Sequence, residues 1–269
     1  MPNRNNLGSA IDGFLKSPFS GLAPWVLLSV ISSSGRFEIG VCVALGVSLL
    51  TMLLSSVRRI KIHALDVFGA AVFAALAVVG LLAKPGVIRW LELWAGELVN
   101  IALATFVVAT LIARKPFTIP YAKEETPEEH WDSPLFRRIN YVISAVWAGA
   151  FVFAAVVGFI GIAVLKGVED FWTGWVLQLA AIFFAVAFTE FYPGHATAKA
   201  AAAAGESPDE AAPSAVKLVD WLPSFVLVAG ILGWSSGALE DVVGIGMIVA
   251  GIGGSVLVGR LSPEADSNV

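Results

Sequence analysis

Leu65–Ala83, LDVFGAAVFAALAVVGLLA, is an almost unbroken apolar run long enough to cross a bilayer as one helix. A helix needs about 20 such residues to span hydrocarbon, and it suits lipid because it satisfies its own backbone hydrogen bonds. Working outward, runs of the same kind occupy roughly 20–34, 37–57, 88–113, 139–165, 171–192, 221–236 and 241–260. The pattern predicts an all-α polytopic transmembrane bundle of about eight spans, arranged as four helical hairpins in a single domain over 1–269. The first and seventh runs are short and carry Pro24 and Pro223 near their starts. Proline is tolerated in a first helical turn, so both read as helices that begin at the interface. The rival count is six spans, with those two lying partly in the membrane plane.

Composition agrees with a lipid solvent. Of 269 residues, 57% are apolar and 14% charged, with a mean hydropathy of +0.81; a soluble domain carries roughly a quarter of its residues as charges. A net charge of -4 offers no basic stripe for nucleic acid. The single cysteine, Cys42, lies in an apolar run and reads as a small packed hydrophobe. The stretch from Met1 to Phe19 lacks a clean small-residue cleavage site, so the first apolar run reads as a retained helix and not a signal peptide.

Basic residues order the topology. With a cytoplasmic N-terminus, the inner stretches hold Arg4, Lys16, Arg58, Arg59, Lys61, Arg114, Lys115, Lys123, Arg137, Arg138, Lys199, Lys217 and Arg260, which is 13 of the 17. Only Arg36, Lys84, Arg89 and Lys166 face out. Short loops rich in Lys and Arg stay inside, so both termini are expected in the cytoplasm. Two cytoplasmic loops result, 114–138 and 193–220. In the first, Thr126-Pro127-Glu128-Glu129 has the pattern of a capped helix start, and Ser133-Pro134 offers a second cap. In the second, Ser207-Pro208-Asp209-Glu210 repeats the capping pattern within an alanine-rich linker. Over 116–138 and 193–220 acidic residues outnumber basic ones, so neither loop is a polybasic lipid-binding segment.

Internal similarity suggests parallel repeats. Arg58-Arg59-Ile60 recurs as Arg137-Arg138-Ile139, each read as preceding a helix. Gly86-Val87 recurs as Gly167-Val168, with Trp94 opposite Trp175 and Glu97 opposite Gln178 at the same spacing. Ser33-Ser34-Gly35 resembles Ser235-Ser236-Gly237. Parallel repeats weigh against the inverted repeats common in secondary transporters.

Among residues able to carry chemistry, Glu97 stands out, with Asn100 one turn on and Gln178 at the matching repeat position. A carboxylate inside a span is costly unless paired, protonated or facing a wet cavity. It reads either as a proton or cation site or as a hydrogen-bonding residue between helices, bonded to Gln178; such bridging is common. Glu92 reads as an interfacial residue beside Trp90 and Trp94, and Glu38, Glu240 and Asp241 as carboxylates at positive helix ends. His63, His130 and His195 fall on or near cytoplasmic segments without HExxH or CxxC spacing, so no metal or cofactor is expected. Walker, GxSxG and nucleotide-binding signatures are absent, and no enzyme is expected. Gly246, Ala250 and Gly254 form a small-xxx-small face suited to close helix packing.

The stretch from Arg58 to about Leu165 resembles the intracellular septation protein A group of bacterial inner-membrane proteins. The resemblance rests on Arg58-Arg59, Trp90, the run Arg114-Lys115-Pro116-Phe117-Thr118, and Trp131, Pro134, Phe136, Arg137, Ile139, Asn140 and Trp147. The acidic stretch Glu124–Glu129 and the helices after position 165 depart from that pattern. The resemblance implies a non-enzymatic role in envelope growth or division, exercised through protein contacts. The expected partners are the lipid bilayer, other envelope membrane proteins or further copies of the chain. The alternative function is a small-solute or ion transporter using Glu97, Asn100 and Gln178.

Overall fold

Apolar runs become helices here, and local chemistry sets where each one stops. The structure, a computed structural model, describes residues 4–31, 36–165, 171–205 and 212–261. In chain order the helices are α1 (Arg4–Lys16), α2 (Pro18–Ile31), α3 (Phe37–Val57), α4 (Ala64–Leu82), α5 (Pro85–Ile112), α6 (Ile119–Glu125), α7 (Pro134–Phe159), α8 (Leu177–Ala204), α9 (Trp221–Ser235) and α10 (Asp241–Leu261). Wider π-turns at Ile160–Val164 and Trp172–Val176 extend the end of α7 and the start of α8. Short 3-10 turns occupy Glu128–His130 and Ala215–Leu218. No strand occurs among the described residues.

Among the described residues, seven stretches are long and apolar enough to cross a membrane: Phe37–Val57, Ala64–Leu82, Pro85–Ile112, Pro134–Val164, Trp172–Ala204, Ala215–Ser235 and Asp241–Arg260. The fold is thus an all-α polytopic membrane bundle, with seven such stretches where about eight were expected. The missing one is α2. Its 14 residues rise only ~21 Å at 1.5 Å per residue, short of the ~30 Å hydrocarbon core. It begins at Pro18, which leaves Pro24 in its interior and not near its start. Large apolar side chains on the spans point outward, with Leu81, Leu82, Ile112 and Val242 each more than three-quarters exposed. Lipid matches such surface.

The chain forms two compact units, Met1–Ala148 and Gly149–Val269, dividing within α7. In the first unit, α3 and α4 run antiparallel, since a Cβ on Gly80 near the end of α4 would lie 3.6 Å from Glu38 at the start of α3. Helix α2 runs parallel to α4, with Gly21 against Leu65 and Gly69 against Trp25. Trp25 is buried and lies 4.6 Å from the Phe73 ring and 5.8 Å from Phe68. Phe68 stacks on Phe106 of α5, which meets Phe117 just beyond that helix. Aromatic rings thus tie α2, α4 and α5 together and lead to one end of the unit.

That end carries the basic residues, and two helices stop there in the same way. Arg59 and Arg114 both take left-handed backbone conformations, with φ of 58° and 57°. After α3, the Ile60 N–H bonds the Ser55 carbonyl and Arg59 bonds Ser56; after α5, Lys115 bonds Thr110 and Arg114 bonds Leu111. Both are Schellman caps, which satisfy the last carbonyls of a helix. Arg58-Arg59 therefore ends a helix, whereas Arg137-Arg138 lies inside α7. The expected equivalence of these two pairs does not hold. Helix α1, which the sequence reading did not anticipate, also sits at this end, where Asp12 accepts a 2.6 Å hydrogen bond from Arg58.

In the second unit, α9 and α10 pack through glycine. A Cβ on Gly251 would come within 2.7 Å of the Leu227 backbone, and one on Gly244 within 2.6 Å of Trp234. Gly254 faces Pro223, but Gly246 faces open space and Ala250 is exposed. Of the expected face, Gly254 joins this contact while Gly246 and Ala250 do not, which leaves them free for the other expected use, packing between copies. The residues in the contact recur at Gly244, Met247, Gly251 and Gly254 because the hairpin selects the stripe facing α9. The hairpin turn closes at Gly237, φ +73°, where the Leu239 N–H bonds the Gly233 carbonyl. Helix α8 passes through Pro193 to Gly205, well into the stretch expected as a loop. The alanines after Pro193 are the strongest helix formers and carry the helix past the lost hydrogen bond.

Candidate functional site

At the basic end of the first unit a histidine is buried between two carboxylates. His63 precedes the first turn of α4 and is only 4% exposed. Its backbone N–H donates to Asp66 Oδ2 at 2.8 Å, which fixes the start of the helix. The ring faces two acids: Nε2 lies 3.1 Å from Glu124 Oε1, and Nδ1 lies 3.7 Å from Asp66 Oδ2. These are ion-pair distances without the alignment of a hydrogen bond, and both ring nitrogens and Glu124 Oε1 lack hydrogen-bond partners. Tyr121 stacks on the imidazole, with centroids 4.1 Å apart. Burial above all, and then the Asp66 and Glu124 carboxylates, push the Tyr121 hydroxyl well above the ordinary phenol range, so it stays protonated.

Tyr121 and Glu124 come from α6, so this contact docks α6 onto α4. A second set of contacts holds the segment on α7. Thr118 Oγ1 donates to the Asn140 carbonyl at 3.0 Å and lies 3.0 Å from Ser144 Oγ. The Asn140 side chain donates to the Phe136 carbonyl, and Phe117, Thr118, Phe136, Asn140, Ser144 and Trp147 are all buried. Beyond α6, Trp131 Nε1 donates to the Thr126 carbonyl at 2.8 Å, and Lys123 Nζ lies 4.5 Å over the Trp131 ring. Held in this way, the segment exposes Glu125, Glu128, Glu129, His130 and Asp132.

The capping pattern at Thr126 is not used as expected. Thr126 ends α6 and Pro127 precedes the single turn Glu128–His130, which has no side-chain cap. Ser133 does cap as expected, accepting from the Phe136 N–H at 3.1 Å. Glu38 and Asp241 lie in the first turns of α3 and α10, as expected of acids at positive helix ends. Cys42 is exposed, not packed.

Glu97 is buried in the middle of α5 at 3% exposure, and Asn100 follows three residues later on the same helix, half-buried. Gln178 belongs to the second unit, where its side-chain amide donates to the Thr173 carbonyl at 2.7 Å. Trp94 lies in regular α5, whereas Trp175 lies in a π-turn, so their equal spacing does not make them equivalent. The matching Gly167-Val168, together with Ser33-Ser34-Gly35 and the Ser207–Glu210 capping pattern, lies outside the described residues.

Other histidines stand elsewhere. His130 is exposed beside Glu129, and His195 stacks on Phe191 in α8. No three His, Cys, Asp or Glu residues among those described are grouped to hold a metal ion. Sequence reading noted His63 but missed its role. The available signal was local, an apolar run preceded by His63 with Asp66 three residues on. Compared with protein-family models, curated proteins and solved structures, the chain matches none.

Proposed function

We propose that this is a multi-pass protein of a bacterial-type cytoplasmic membrane that works by protein contact in envelope growth or division, with residues 119–132 as its contact segment. One observation carries the reading: a polar segment is pinned to the membrane bundle by buried Thr118, Tyr121 and His63 while Glu125, Glu128, Glu129 and Asp132 face solvent. The residues that resemble the septation protein A group support it as well. Phe117, Phe136, Asn140 and Trp147 are packing residues, and they build the platform beneath the segment. The Lys and Arg residues at the same end favour a cytoplasmic position for it.

A photo-crosslinking side chain placed at Glu128 or His130 in native membranes should trap discrete protein adducts. The same group at Val242, exposed on α10, should trap lipid. Only lipid or water products at 128 and 130 would end this reading. Orientation is checked with a cysteine at Glu125 in a Cys42→Ala background; labelling by an impermeant reagent in intact cells would place the segment outside.

Burial of Glu97 in an apolar helix favours a second reading, a proton- or cation-coupled transporter, because such acids commonly mark ion paths. In proteoliposomes, Glu97→Gln should leave solute and proton flux unchanged if the contact reading is right. A folded Glu97→Gln protein that has lost a measurable flux favours the transporter.

A further inference from the structure

The ring of His63 lies between the Asp66 and Glu124 carboxylates, and imidazole is the side chain whose charge ordinarily changes near neutral pH. Every element packed around it is otherwise acidic or neutral at that point. Helix α4 contributes Asp66, and α6 contributes Glu124 and the protonated Tyr121. Helix α2, packed against Asp66 through Gly21, has no ionisable residue. Of the cations at this end, Arg59, Lys61, Arg114, Lys115, Arg137 and Arg138 are exposed, Arg58 is engaged by Asp12, and Lys123 of α6 lies over the Trp131 ring.

We propose that His63 is a protonation-controlled latch: its charged ring holds α6 on α4, and its neutral ring releases the segment that α6 anchors. With the ring protonated, each carboxylate faces a cation across a nearly dry contact. With the ring neutral, the Glu124 and Asp66 carboxylates remain at its two nitrogens with no compensating charge. Buried charges without a counter-charge are costly, and the way to relieve them is to move Glu124 into water. Glu124 sits on a seven-residue helix in a solvent-facing segment, whereas Asp66 is fixed in a span. Helix α6 is therefore the part that moves. Docking is complete while the ring carries its proton and is lost once the proton leaves. The latch deepens the contact reading above, because it would set when residues 119–132 are presented rigidly.

Hydrogen–deuterium exchange of the full chain in lipid nanodiscs tests this, with rates corrected for the intrinsic pH dependence of exchange. Amide protection over 119–125 should fall about tenfold between about pH 5 and 8, while the centre of α5 stays unchanged. His63→Gln should give low protection at both ends of the range. Should that variant fail to fold, Glu124→Gln keeps the histidine and removes one carboxylate, and the pH response should shrink. A flat wild-type profile overturns the latch, and so does a tenfold response that survives intact in either variant. Adducts at Glu128 with a flat exchange profile would remove the latch and keep the contact function. A pH-dependent profile without adducts would do the reverse.

Discussion

Helices α2 and α4 in the first unit meet through large side chains seated on Gly21 and Gly69, whereas α9 and α10 in the second bring their backbones together at glycine. The first contact is filled by Trp25, Leu65 and Phe73, all nearly inaccessible. The second has Leu227 and Trp234 resting directly on the backbone at Gly251 and Gly244. Lipid explains why both solutions work. Between helices in hydrocarbon there is little hydrophobic drive, so association depends on how much surface touches. Interlocked rings reach that with volume, and glycines reach it by letting backbones approach. The two contacts should therefore fail under opposite substitutions, the first by loss of atoms and the second by gain of them.

The largest effect is expected at Trp25. Trp25→Ala would remove the ring that touches Phe68, Phe73 and the Gly69 backbone region. Truncation of a buried aromatic costs about 3–5 kcal/mol when the site cannot collapse. Unfolding of the detergent-solubilised protein in increasing dodecyl sulfate measures it. A loss below about 1 kcal/mol would mean that α2 is a loosely attached flap and not part of the bundle.

That short helix also shows what sequence can and cannot carry. The long spans were legible because lipid demands some twenty apolar residues in a row, and α3 begins and ends where its apolar run does. Helix ends were less so. Proline is a strong stop signal in isolation, yet α8 runs through Pro193 because alanines follow it. Helix α1 escaped notice because its 13 residues are too few and too polar for a span. Contact faces were illegible where two stripes of small residues compete. Gly246-Ala250 and Gly244-Gly251 lie on the same helix, and only the position of α9 decides between them. The His63 cluster is the extreme case. Its partners Tyr121 and Glu124 lie on the far side of α5 in the chain, and no spacing rule joins them.

The glycine contact gives the next effect in size, and it has the opposite sign. Gly251→Ala places a methyl group against the Leu227 backbone, which cannot rotate away. Overpacking of this kind costs about 1–3 kcal/mol. Gly246→Ala meets open space, so it should gain stability instead, up to about 1 kcal/mol from helix propensity. Parallel dodecyl sulfate titrations of the two variants compare them directly. Equal losses at both positions would mean that Gly246 is packed against a second copy of the chain, and the contrast drawn here would then hold only for the monomer.

The smallest effect separates two serine and threonine caps that look alike in sequence. Both Thr126-Pro127 and Ser133-Pro134 have the residue order of a helix start, but only Ser133 accepts a bond from the third residue beyond it, the Phe136 N–H. Thr126 contributes through its backbone carbonyl, which receives Trp131 Nε1 at 2.8 Å, and a carbonyl survives side-chain truncation. Ser133→Ala should therefore cost about 1 kcal/mol of local stability at the start of α7, while Thr126→Ala should cost almost nothing. Exchange rates of amides over 134–138 and 126–131 read the two changes separately. A loss of protection after Thr126→Ala, with none after Ser133→Ala, would reverse the assignment. It would also mean that the contact segment is held by its own helix cap and not by the side chains docked beneath it.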